Sequence, residues 1–300
     1  MWRRWRNAGA RREAHRDGVT ACFDAETVAE RRVEARTHLQ KMLNENSLHS
    51  LWIGQTLGPL EVLCLQSWVR LGYEVTLHAY APLETPAGVA VVDANLLMPA
   101  KQIFRDRRSG SLAPFSDVFR AQILMRHEAT WLDTDIFLLG RLPLDSRNVL
   151  AREYLDGADR FNNAVMRLEP GHPILKEIVA RYRNPLRALD WRRPRKQWST
   201  IRQSLLALRL SPAHLRWGAL GAQAINDQIA RTGFDGQVLG AELCLNSAKT
   251  PLFSADEGAE RALAGATYVH LYKSQLKLDL GRPTPGSVYA GLWARLDEGR

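Results

Sequence analysis

Two acids spaced two residues apart, Asp133 and Asp135, interrupt the otherwise apolar run WLDTDIFLL. The spacing by itself carries no information. With 16 Asp in 300 residues, about one such pair is expected by chance. The setting is more telling. Residues i and i+2 of a strand project to the same side, so the two carboxylates can converge on one cation. Carboxylates that close repel each other unless positive charge lies between them. Hard oxygen ligands favour magnesium or manganese, ions that keep coordination positions open for phosphate oxygens. In open α/β sheets the ligand crevice lies at the carboxyl ends of strands, which is where these acids stand if Trp131 and Leu132 close one. Two rivals are simpler. One is a pair of solvated acids at a strand end. The other is an aspartyl phosphohydrolase, whose first Asp attacks and whose second is a general acid. That motif normally has Thr or Val two residues after the second Asp, where this chain has Phe137.

The elements that would position these acids follow from periodicity. SLHSLWIG reads as a short strand ending in Gly54, and GPLEVLCLQSWVRLG as a helix with Leu60, Leu63, Trp68 and Leu71 on its apolar face and a Gly72 stop. EVTLHAY returns to strand texture. Strand, helix, strand in this order is a crossover unit and predicts a parallel α/β sheet. SDVFRAQILMRH follows as a helix with Ser116 as its N-cap and Asp117 in the positive first turn. NNAVMRLE and ATYVHLY read as strands, HPILKEIVARYR and GAQAINDQIART as helices.

Composition sets the bounds. Three hundred residues with 45% hydrophobic content can bury a sizeable core without disulfides or structural metal. The three cysteines, Cys22, Cys64 and Cys244, suit a reducing compartment. No apolar run approaches the roughly 18 residues of a membrane-spanning helix. The N-terminal MWRRWRNAGARREAHR carries six Arg against one Glu and reads as a basic arm, with a charged helix over 20–45. The net charge of +9 is concentrated: between Arg181 and Arg216 stand ten Lys or Arg and one acid, Asp190. Such a field attracts polyanions, whether membrane surface, phosphorylated substrate or nucleic acid. Basic residues interleaved with tryptophan, as in WRRPRKQW, keep a nucleic-acid-binding module as the non-enzymatic reading, although that reading leaves LDTD without a role.

The longer stretch SDVFRAQILMRHEATWLDTDIFLL resembles the signature of the DXD-containing sugar transferases of family 32 and the related α1,4-glycosyltransferases. Ser116, Asp117, Arg120, Leu124, Trp131, Leu132, Asp133 and Asp135 fall on its S-D-x-x-R, L and aromatic-L-D-x-D positions. LWIG (Leu51 to Gly54) is similar to that family's first strand, NNAVMRLEPGHP (Asn162 to Pro173) to its N-A and G-H-P segment, and YVHLYKS (Tyr268 to Ser274) to its late histidine block. The order of the blocks agrees. Three departures stand out: Glu128-Ala129 replaces a Gly-Gly turn, Gly221-Ala222 replaces Gly-Pro, and Tyr272-Lys273 replaces Trp-Asn.

The resemblance implies a GT-A fold: a Rossmann-like, mainly parallel sheet flanked by helices over 46–280, with a basic insertion at about 183–216 and a tail at 281–300. It implies a retaining hexosyltransferase that uses a nucleotide-sugar, expected to be a UDP-sugar, with Mn2+ or Mg2+. Asp133, Asp135 and His270 would hold the metal. Asp117 and Arg120 would fix the nucleotide-sugar, with Trp52 and Gly54 bordering the nucleoside. Asn163 would face the donor sugar, Lys273 would neutralise the departing diphosphate, and Gly221 and Gln223 would lie on the acceptor side. The acceptor expected is a glycan or lipid-linked glycan, as in surface polysaccharide synthesis. The place expected is the cytoplasm, peripheral at the inner face of an anionic membrane, with no nucleic-acid partner.

Overall fold

The computed structural model describes residues 46–155, 157–189, 198, 202, 211–246, 252–255, 258, 261, 263–272 and 283–297. The N-terminal arm, the 20–45 helix, the WRRPRKQW stretch apart from Trp198, and Lys273 lie outside the described residues.

The expected crossover unit is present. β1 (Ser47–Trp52) pairs in parallel with β2 (Glu74–Ala79), and α1 (Pro59–Arg70) joins them. Glu61 reaches back to accept the Gly58 amide at 2.9 Å, closing the first turn. At the other end Tyr73 N–H donates to Trp68 O and Gly72 N–H to Val69 O, with Gly72 at φ 78°. That is the Schellman arrangement, and its positive φ is the reason glycine stops this helix.

The main sheet has seven strands in the order β3-β2-β1-β4-β7-β6-β8, with β3 Val89–Asp93, β4 Thr130–Leu132, β6 Val149–Leu155, β7 Ala158–Arg167 and β8 Gln237–Leu239. Only β7 runs against the other six. One face packs Leu51, Trp131, Leu150 and Met166 against α2 (Ala113–Leu124), α3 (Pro173–Arg183) and α4 (Ala222–Thr232), which supply Phe115, Phe119, Ile174, Ile178 and Ile225. The other face packs Leu48, Val75, Leu77 and Leu132 against Leu65 and Trp68 of α1. A second sheet, β5-β10-β9 (Ile136–Leu138, Tyr268–His270, Cys244–Asn246), adds Phe137 and Val269 to a third cluster with Leu60, Leu63, Val288 and Leu292. The last two belong to α5 (Val288–Asp297). The segment 281–300, read from the sequence as a tail, thus contributes a core helix.

Two expectations need correction. β4 does end at Leu132, but Asp133 and Asp135 do not lie on a strand that would project them to one side. Asp133 O accepts the Ile136 amide at 3.0 Å and turns the chain out of the first sheet into the second. The acids therefore occupy the turn between β4 and β5, and strand pleating does not align them. Ser116 is not an N-cap either. Pro114, with φ fixed for a first turn, starts α2 earlier, and Leu112 O accepts from both Phe115 and Ser116 amides at 3.0 Å. Asp117 is consequently in the helix body and 8% exposed.

Beneath α2 lies a buried histidine pair. His49 Nδ1 and His78 Nε2, on adjacent strands, share a hydrogen bond at 2.9 Å, and the His127 ring stacks on His49. Burial, reinforced by His127, pushes His49 down to about 3, and His78 also falls well below the usual imidazole range. The folded protein thus refuses protons that the unfolded chain accepts below about pH 6.5. This pair's contribution to stability is expected to fall as pH drops from 7 towards 5. In thermal unfolding followed by circular dichroism, His78→Gln should lose less Tm over that interval than the wild type. Equal slopes would discard the account.

Candidate functional site

The parallel half of the main sheet reverses its order between β1 and β4, which is the switch point where open α/β sheets bind ligands at the strand carboxyl ends. Trp52 and Gly54 leave the end of β1, and Asp133 leaves the end of β4. The Trp52 indole donates to Thr56 O at 3.0 Å and lies so close to Gly54 that a Cβ there would come within 2.9 Å of its Nε1. A side chain at Gly54 would displace the ring.

Arg120 organises one half of the site. Its guanidinium is 3% exposed and meets Asp133 Oδ1 at 3.0 Å and Asp117 Oδ1 at 3.4 Å, donates to Asn163 O, and lies over the Trp131 ring at 5.2 Å. Asn163 Nδ2 donates to Asp117 Oδ1 and Trp131 Nε1 to Asp133 Oδ1, each at 2.7 Å. Asp117 and Arg120 are thus below the surface, holding Asp133 and Asn163 in place from behind. Burial raises Asp117 above the usual carboxylate range, against the opposing pull of Arg120 and Asn163. Burial also brings Asp133 up to about 6; Arg120 opposes this and the Asp135 charge adds to it.

Asp135 and His270 form the other half. Leu271 N–H donates to Asp135 O at 3.0 Å, holding the turn against β10, and His270 Nε2 stands 3.6 Å from Asp135 Oδ1. Behind the imidazole is a residue that sequence reading passed over. Glu153 on β6 is fully buried and takes His270 Nδ1 at 2.8 Å and the Tyr272 hydroxyl as donors. The Tyr272 ring stacks flat on His270 with centroids 3.7 Å apart. Its backbone has φ 46°, a conformation that costs a non-glycine residue of order 1–2 kcal/mol; stacking and the Glu153 bond hold it there. Burial opposes protonation of His270, but Glu153 and Asp135 outweigh it and lift the imidazole well above its ordinary range.

Gly221, the N-cap of α4, sits against this network. A Cβ there would come within 2.4 Å of Asp117 Oδ2 and 2.6 Å of Asn163 Nδ2. Close approach, and not positive φ, is what requires glycine. Gln223 follows in the first turn, its amide bonded to Gly218 O at 3.0 Å. The structure therefore gathers Asp117, Arg120, Asp133, Asn163 and Gly221 in one group and Asp135 with His270 in another, joined through the Asp133–Asp135 turn.

Among the described residues no three His, Cys, Asp or Glu side chains converge tightly enough to hold a metal ion as they stand, since Asp133 Oδ1 is turned to Arg120 and Trp131. The donor chemistry nonetheless suits a hard divalent cation. It offers two neighbouring carboxylates and an imidazole whose Nδ1 is engaged by a carboxylate, the usual support of a metal-binding histidine.

No protein-family model matches this chain, and no curated protein matches it. Among solved structures, one titled PaToxG Glycosyltransferase is similar at 12% identity with a TM-score of 0.41, over 69% of this chain and 80% of that one. So distant a likeness leaves the chemistry to the residues themselves.

Proposed function

We propose that this protein is a metal-dependent hexosyltransferase of GT-A type, moving a sugar from a UDP-sugar to a hydroxyl of a glycan or lipid-linked glycan with retention of configuration. The observation that supports the reading is the Asp133–Asp135 turn at the switch point of a mostly parallel sheet, with Asp133 tied to buried Arg120 and Asp135 beside His270, which Glu153 holds from behind.

Asp133, Asp135 and His270 would hold Mn2+ or Mg2+. Such an ion, when bound, offsets the negative charge that grows on a departing diphosphate. Arg120 and Trp131 anchor Asp133 at the end of β4 through its Oδ1, and Glu153 fixes the imidazole so that Nε2 faces Asp135. Asn163, fastened to Asp117, presents its edge to the donor sugar. Trp52 and Gly54 border the nucleoside, and Lys273 is proposed to face the diphosphate. In the reaction the bond from the anomeric carbon to the diphosphate oxygen breaks, and a bond from that carbon to the acceptor oxygen forms on the same face. The acceptor proton passes to the freed diphosphate oxygen. Gly221 and Gln223, at the start of α4, flank the side from which the acceptor enters.

The cheapest test is titration calorimetry with UDP in the presence and absence of Mn2+. Cation-dependent UDP binding is expected, stronger at pH 7.5 than at pH 5. The sign follows from Asp133: it is protonated below about 6, and only the ionised form recruits a cation. UDP binding that ignores the cation would remove the metal from the reading. No UDP binding at all would remove the donor.

A further inference from the structure

The loop 101–111 and the segment 211–217 are fastened to each other. Arg107 N–H donates to Ala213 O at 3.0 Å, Arg107 Nη1 meets His214 Nε2 at 3.1 Å, and Arg108 Nη2 donates to Leu215 O at 3.0 Å. The loop's single acid, Asp106, is 4% exposed and faces inward, where its Oδ1 accepts from the Ser109 amide and hydroxyl at 2.7 Å and from the Arg108 amide at 3.1 Å. Lys101, Arg105, Arg107, Arg108 and Arg216 are all exposed, and Trp217 is 56% exposed beside them. These two segments therefore show solvent five cations, a large indole and no acid.

We propose that this face docks the protein on an anionic lipid bilayer. A tryptophan left this open loses hydrophobic burial unless something covers it, and the headgroup boundary accepts an indole with its apolar body inward and its N–H wet. Arginine forks suit phosphate oxygens, and a cluster of cations near an anionic leaflet adds attraction with each member. A nucleic acid fits less well, because single-strand binding needs successive aromatic platforms along a groove and these two segments offer one exposed indole. The placement has a use. Ser111 leads into α2 and Asp117, and Trp217 precedes Gly221 by four residues, so the same two segments that meet the bilayer lead directly into the site. The proposal rests on the glycosyl-transfer reading only for what docking serves, namely reaching a lipid-linked acceptor. Binding itself needs no catalysis.

The test uses the full chain and sedimentation with phosphatidylcholine vesicles, with and without phosphatidylglycerol, at physiological salt. Binding is expected only with the anionic lipid. Each lost cation should weaken it about fivefold, so Lys101→Glu/Arg216→Glu should bind more than about 25-fold more weakly, and Trp217→Ala should bind more weakly than wild type. Neither variant touches the fastening bonds, and an unchanged Tm verifies that. Cation-dependent UDP binding should stay intact in both, which separates failure of docking from failure of the enzymatic reading. Equal binding to neutral and anionic vesicles, wild-type binding by the variants, or tighter retention of a single-stranded RNA oligonucleotide than of anionic vesicles would each overturn the proposal.

Discussion

Asp135→Ala is expected to lower cation-dependent UDP-sugar turnover by about 1000-fold while leaving the fold intact. Loss of one group that stabilises developing charge at a site typically removes a factor of about 100 to 1000. On the proposed mechanism Asp135 would also act through a bound ion, so the upper end applies. The fold should survive because Asp135 holds its turn by a backbone carbonyl, bonded to the Leu271 amide, which alanine retains. Asp135→Asn keeps the shape and removes the charge; it should fall nearly as far. A donor-hydrolysis assay across a manganese series, with Tm measured alongside, decides the matter. Unimpaired turnover in either variant would end the metal-centred mechanism.

Arg120→Met should act on stability as much as on turnover. The guanidinium is nearly fully buried and serves two carboxylates, Asp117 and Asp133. Removing one partner from such a pair leaves buried charge uncompensated and costs about 3–5 kcal/mol, which for a domain this size corresponds to a Tm lower by about 10 °C. The loss should be pH-dependent in a defined direction. Without Arg120 both carboxyls move further above their unfolded values, so the penalty is full where they would be ionised and shrinks as pH falls. Arg120→Met/Asp117→Asn should recover part of the loss, whereas Arg120→Lys should recover little, since a point cation does not span both partners. A variant melting within about 2 °C of wild type at pH 7.5 would show that the network is dispensable.

The parts of this arrangement that were legible in the sequence are those set locally. The crossover from β1 to β2 shows in periodicity and in the Gly72 stop, because the helix ends on its own neighbours. The end of a strand at Leu132 shows because two acids cannot continue a buried run. Glu153 was not legible. A lone acid in VLAREYL carries no local sign of burial, and its partners His270 and Tyr272 come more than a hundred residues later. The strand in ATYVHLY was legible and is β10, but the three-residue strands β5 and β9 are too short to show a period, and the second sheet the three form exists only through distant pairing. Ser116 misled because a good capping residue is outweighed when Pro114 starts the helix one turn sooner.

The pairing of β10 with β5, Ile136 opposite His270 and Leu138 opposite Tyr268, has a consequence during synthesis. At about 5–20 residues per second, a ribosome needs roughly ten seconds to travel from one partner to the other. Through that interval the nascent chain has both acids but not the His270 imidazole, and Phe137 lies along an unpaired strand edge with Leu60 and Leu63 uncovered by Val269. Such an edge invites association with other chains until β10 emerges and pairs with it.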